Sequence, residues 1–221
     1  MLDTRASLWL LVITALAVVG IAIIQAASAT GSDAAAGSIF QTACGIASIL
    51  LPILAILLVT SEWSQRSGLI TFALVPARTR VIGAKYLATV LLVALTVGLS
   101  LLLALACGGG IGGGSEISGS EAAQGALYLL INVSIGFALG LLFMNSPLAI
   151  VLLFAAPIVI SLIGAISASI NDVTVWLDLS ELPDLISDVG VDWGRIAVTA
   201  MIWIVLPLAG GLIRLHRSDI D

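Results

Sequence analysis

From Ala122 to Asn171, between Glu121 and Asp172, the chain carries no charged residue. At about 1.5 Å per helical residue, that stretch is more than twice the ~30 Å hydrocarbon thickness of a bilayer. It must therefore cross twice. The one plausible hairpin within it is Asn145-Ser146-Pro147, because proline suits the first turn of a new helix. The prediction is a fourth span near 123–144 and a fifth near 147–169, with Pro157 inside the latter.

The rest of the chain agrees with that class. Of its 221 residues 60% are hydrophobic and 10% are charged, whereas soluble domains carry about 25% charged residues. One Lys, seven Arg and one His leave no basic surface for nucleic acid. A spanning helix needs about 20 mostly apolar residues, and that length fits four further segments: 7–27, 39–59 (with Pro52 inside), 83–107 and 196–213 (with Pro207 inside). The first could be mistaken for a signal peptide, since Arg5 precedes it and Ala27-Ser28-Ala29 looks like a cleavage site. Its apolar run is longer than the 7–15 residues of a signal core, which favours a span. The expectation is an all-α, six-span membrane protein, one transmembrane domain over residues 1–221, with a polar elbow at 60–82 and a helical outer segment at 171–193.

Charge sets the predicted orientation. With both termini inside, the cytoplasmic segments hold Arg5, Arg66, Arg78, Arg80, Lys85, Arg214 and Arg217, leaving only Arg195 outside. The outer loops collect Asp33, Glu116, Glu121, Asp172, Asp178, Glu181, Asp184, Asp188 and Asp192. This is the positive-inside pattern. In the outer segment Leu182, Leu185, Ile186 and Val189 recur at helical spacing, with Glu181, Asp184 and Asp188 opposite. Trp176 and Trp193 suit the headgroup level. Two readings stay open: a folded outer connection, or a lid over an exit path formed by Trp176, Leu182, Leu185 and Ile186.

Few residues offer chemistry. Cys44 and Cys107 lack metal or redox spacing; both fall near predicted outer helix ends, so free thiols or a disulfide are the alternatives. The GGGIGGG run at 108–114 is followed by no Lys-Ser or Lys-Thr and reads as a flexible turn. His216 reads as a solvated tail residue, with no acid or nucleophile spaced for catalysis. Gly136 and Gly140 form a small-xxx-small pattern for close helix packing, within or between subunits. The centre of every span lacks Asp, Glu, Lys, Arg and His. Ion-coupled pumps keep such groups, or broken helices, at the midplane. Here Asn132, an interhelical hydrogen-bonder or a path residue, is joined only by hydroxyls and by Pro52 and Pro157 as candidate path elements. A carrier or channel that runs without ATP is the alternative this disfavours. A membrane hydrolase or transferase would need a nucleophile with a partner at one depth, and the sequence offers none. The catalytic and metal sets are empty.

The elbow is the long polar interruption that carries basic residues. Glu62 and Arg66 stand four apart with the acid first, the favourable order for a helical ion pair. Trp63, Ser67 and Ile70 give a short apolar-rich helix with polar points, and Pro76 restarts a helix carrying Arg78, Arg80 and Lys85. On these residues alone two readings stand: an amphipathic segment on the inner leaflet with its cations on anionic headgroups, or a helix seated in a groove of a soluble partner.

Glu62-Trp63, Arg66-Ser67, Thr71-Phe72, Pro76, Arg78, Arg80 and Ala84-Lys85 resemble the span 2–3 region of type 2 ATP-binding-cassette (ABC) exporter permeases. The likeness is closest to short bacterial, often actinobacterial, forms, in which E-[WY], R-T, T-[FL], P-x-R-x-R-V and A-K follow in that order; Ser67 stands where Thr is commoner. The specific part covers about 25 residues, and the six-span layout extends it less specifically over the chain. No Walker element is present. The resemblance implies a permease subunit in the bacterial cell membrane that pairs with a second copy or a paralogue. Two separate ATPase subunits would carry the ATP and Mg, with no cofactor on this chain. It also implies that Glu62, Trp63, Arg66, Ser67, Thr71, Phe72, Pro76, Arg78, Arg80 and Lys85 form the coupling region. The cargo is not readable from the sequence; a pore lined by Ala, Leu, Ile, Ser and Thr suits a hydrophobic or amphipathic molecule such as a drug, lipid or peptide, but fits almost any bundle interior.

Overall fold

In lipid every backbone N–H and C=O must find a partner within the structure, which leaves an apolar chain the choice of helix or closed barrel. The computed structural model describes residues 5–28, 36–64, 78–108, 117–179, 182–187 and 192–217, and all regular structure among them is helical. In chain order the helices are α1 (Arg5–Ser28), α2 (Ala36–Ser64), α3 (Arg78–Gly108), α4 (Gly119–Phe143), α5 (Ser146–Gly164), α6 (Ala168–Thr174), α7 (Asp184–Ser187) and α8 (Trp193–Arg217). Five of them, α2, α3, α4, α5 and α8, are long and apolar enough to cross a membrane. The chain is thus a multi-pass membrane protein. Its α1, which coincides with the first predicted span, has a shorter apolar stretch at Trp9–Gln25 and packs beside α2 and α3.

Two helices form the centre. The broadest contact is between α2 and α4; α1 and α3 close on α2, while α3, α5 and α8 also lean on α4. Between apolar helices in lipid the attraction comes from close packing rather than from water, and three glycines of α4 supply the closeness. A methyl group at Gly125 would come within 2.6 Å of the Phe40 ring, and one at Gly136 within 2.6 Å of the Pro52 carbonyl oxygen. At Gly140 it would meet Val59 at 3.0 Å. The small-xxx-small pair therefore packs inside the subunit, against α2. Phe40, Leu51, Ile56 and Val59 of α2 and Leu129, Val133, Phe137 and Leu141 of α4 are buried around these contacts. Cys44 and Cys107 are both free thiols.

The junctions follow local chemistry. The hairpin expected at Asn145 is present: Met144 takes a left-handed conformation (φ 52°) and Asn145 caps α5, its Oδ1 accepting from Leu148 N at 3.4 Å. Ser118 begins α4 through a capping box, its Oγ accepting from Glu121 N at 3.1 Å while Glu121 Oε2 accepts from Ser118 N at 2.8 Å.

The helix of α2 continues past the apolar stretch to Ser64 and that of α3 begins at Arg78, in line with the helical reading of Glu62 and of the segment after Pro76. Two features differ from expectation. The fifth span ends at Gly164 rather than at 169, and α6 turns back onto α5. Glycine permits this return, since a methyl group there would lie 2.6 Å from Thr174 Oγ1. The segment 171–193, expected to be helical, is not one helix among its described residues, which comprise most of α6, a turn through 175–177 and the single turn of α7 after Pro183.

Candidate functional site

Contacts between helices sort the bundle into two ends. At one end lie the C-termini of α2, α4 and α8 and the N-termini of α3 and α5. Lys85, in the second or third turn of α3, is 3% exposed and donates through Nζ to Val59 O of α2 at 3.3 Å. The neighbouring Thr60 is 1% exposed; its hydroxyl donates to Ile56 O at 2.8 Å and lies 2.7 Å from Ser146 Oγ at the start of α5. Since the one Thr60 hydrogen goes to its own helix, Ser146 is the donor between the two hydroxyls. Arg214 of α8 donates through a terminal nitrogen to Leu142 O at 3.0 Å and Phe143 O at 3.4 Å. Arg80 is exposed on α3 at the same end.

One physical rule joins these contacts. The carbonyl ends of α2 and α4 carry the negative pole of the helix dipole, and each receives a cation from a neighbouring helix: Lys85 at α2, Arg214 at α4. Such a cation is stabilised by up to ~2 kcal/mol in partly buried geometries.

The coupling residues read from sequence fall into three groups. Arg66, Ser67, Thr71, Phe72 and Pro76 lie outside the described residues. Glu62 and Trp63 belong to the last turns of α2 and Arg78 opens α3, so the described ends of the elbow, 60–64 and 78–82, are helical and continuous with α2 and α3. Arg80 points outward, whereas Lys85 turns inward onto α2. A lone lysine in an Ala-Lys pair gave no sign of that in the sequence.

The opposite end is acidic and braced. Trp203 Nε1 donates to Leu177 O at 2.8 Å and the Thr199 hydroxyl to Trp176 O at 2.9 Å, so two side chains of α8 hold the strap after α6. Leu182 and Leu185 are buried and Ile186 packs against the core, where α7 meets α4 and α2. Trp176 is half exposed. Of the four candidate lid residues, Leu182, Leu185 and Ile186 pack together against the bundle and the Trp176 ring stays outside. Asp192 and Arg195 pair at 3.9 Å beside it, at the start of α8.

The candidate path residues do not gather. Pro52 is buried under Gly136, and Pro157 sits on α5, half-buried on a helix that is otherwise largely exposed. Asn132 donates through Nδ2 to Tyr128 O of its own helix at 2.8 Å. Hydrogen bonds between helices in the middle of the bundle come instead from Tyr86 OH to Ser134 Oγ and from Tyr128 OH to Ser48 Oγ, each 2.9 Å. Tyr86 also meets Phe137 edge to face at 5.2 Å. Two apolar hollows open between helices. One of about 150 Å³ lies between α1, α2 and α3, bordered by Thr14 and Thr96. A shallower one of about 630 Å³ lies between α3 and α4, around Val97, Gly98 and Ala126. Among the described residues no cluster of three His, Cys, Asp or Glu side chains could hold a metal ion. Neither a family model nor a curated protein matches this sequence.

Proposed function

We propose that the chain is the membrane-spanning subunit of an ATP-driven exporter of the type 2 ABC class. In this reading six helices, α1 included, cross the membrane with both termini in the cytosol. Residues 62–72 seat in the cleft of a separate ATPase. Two copies, or this chain and a paralogue, pair side by side with two ATPases, and closure of the ATPases shifts the bundle between packed states that open a path along the dimer axis. The cargo is hydrophobic or amphipathic.

One observation carries the reading: the elbow with the permease-like residues leaves and rejoins the bundle at the end where Arg80, Lys85 and Arg214 collect. Basic ends face the cytosol, which is where an ATPase could grip it. The empty midplane supports the same conclusion, since transport without an ionisable relay needs energy delivered from outside the bundle.

Affinity purification of the tagged chain from its native membrane tests this directly. An ATP-hydrolysing subunit co-purifies with the wild-type chain and is lost, or hydrolyses ATP without transport, in Glu62→Ala and Phe72→Ala. An intact complex with undiminished transport in both variants would remove the elbow from the mechanism. Flux through the purified chain alone, without ATP, would favour a carrier or channel.

A further inference from the structure

Lysine is an expensive choice at position 85. Seven residues into α3 it stands about 10 Å along the helix axis, close to the hydrocarbon boundary, where a long cation normally snorkels outward to water. Arg80, one and a half turns earlier, is exposed. Lys85 does the opposite: its side chain is buried and its Nζ reaches across to the α2 backbone at Val59. The next residue of α2, Thr60, is tied to Ser146 of α5, and Val59 itself packs over Gly140 of α4. The last buried turn of α2 before the elbow is therefore held by α3, α4 and α5 at once.

We propose that Lys85 is a positioning residue that makes the elbow-facing ends of α2 and α3 move as one body, and that the Thr60–Ser146 contact hands this motion to α5. Without the Lys85 contact, displacement of the elbow would splay its two helices apart and be absorbed locally. With it, the same displacement tilts the pair against α4 and carries the start of α5 along. The inference rests on the transport reading above for its purpose, but the mechanical joint belongs to this chain alone.

Two measurements separate the parts. In the first, spin labels at Ser64→Cys and Arg80→Cys, with Cys44 and Cys107 replaced by alanine, report the distance between the ends of α2 and α3 in the chain reconstituted in nanodiscs. The wild-type Lys85 gives one narrow distribution. Lys85→Met broadens it and Lys85→Arg restores it, while size-exclusion behaviour confirms that each variant is folded. A narrow distribution in a folded Lys85→Met variant overturns the joint, whatever the function. In the second, Trp176→Cys reports ATP-driven movement at the far end in the complete complex, as the change in maleimide labelling on adding ATP per ATP hydrolysed. Lys85→Met lowers that ratio by at least ~tenfold, the factor matching loss of one hydrogen bond to a charged group, and Ser146→Ala lowers it about two- to tenfold, matching loss of a neutral one. An unaltered ratio in both variants overturns the transmission role. No ATP response in the wild-type complex would instead overturn the transport reading and leave the joint standing on the first measurement.

Discussion

A missing methyl group at Gly136 lets α2 and α4 touch at the level of Pro52. Valine there would drive its Cβ to 2.6 Å from the Pro52 carbonyl oxygen and 2.9 Å from its Cα, both backbone atoms that cannot step aside. Overpacking of this kind costs typically 1–3 kcal/mol. Gly98, also helical, has nothing within 4 Å of where its Cβ would be. Alanine there gains helix propensity of at most ~1 kcal/mol. Thermal unfolding in one detergent should therefore lower the midpoint for Gly136→Val and hold or raise it for Gly98→Ala; equal behaviour of the two would mean that the α2–α4 contact is not where stability lies. The spacing of Gly136 and Gly140 announces close packing in the sequence. It cannot say which helix arrives, because the pattern is a property of one surface and the partner is chosen by the whole bundle. Asn132 shows the opposite case. A polar group in an apolar span invites an interhelical reading, yet Asn132 Nδ2 donates to Tyr128 O of its own helix, while Tyr86 and Tyr128 bond across to neighbouring helices.

The outer strap shows what an element owes to distant residues. Its apolar phase at Leu182, Leu185 and Ile186 is legible at helical spacing, and those side chains are indeed the ones turned inward. Its backbone is not legible. Pro183 restricts the continuous helix that the spacing suggests, and the carbonyls of Trp176 and Leu177 are taken by Thr199 and Trp203 of α8. No local pattern encodes a bond between residues more than twenty apart. Trp203→Phe keeps an aromatic ring, smaller than the indole, and deletes the donor, which removes a contribution of about 0.5–1.5 kcal/mol from the hydrogen bond. Amide exchange across 175–187 should quicken about two- to tenfold as a result, and Thr199→Val should add to it. If exchange in this segment is unmoved while the protein stays folded, burial of Leu182 and Leu185 alone holds the cap.

For the molecule as a whole, hydrophobicity and charge settle the plan and leave the joints open. The charge-free stretch after Glu121 makes two crossings inevitable, and Asn145 marks the hairpin between α4 and α5. One helix end escaped notice, at Gly164, where the apolar run continues and the helix does not. The cation contacts at the ends of α2 and α4 were hidden because Lys85 and Arg214 look in sequence like ordinary boundary residues. Together the hairpin and the end contacts require α2, α4 and α8 to run one way and α3 and α5 the other, which puts Arg80 and Trp176 at opposite ends of the bundle. The cationic end should be cytosolic, because carrying Lys and Arg across the membrane is the disfavoured step during insertion. Single-cysteine chains test both statements with one impermeant maleimide, Cys44 and Cys107 being replaced. Trp176→Cys should label in intact cells and Arg80→Cys only after permeabilisation. Labelling of both from one side would break the antiparallel arrangement. The reverse pattern would turn the bundle over and put the elbow out of reach of any cytosolic ATPase, leaving its basic residues for the outer surface.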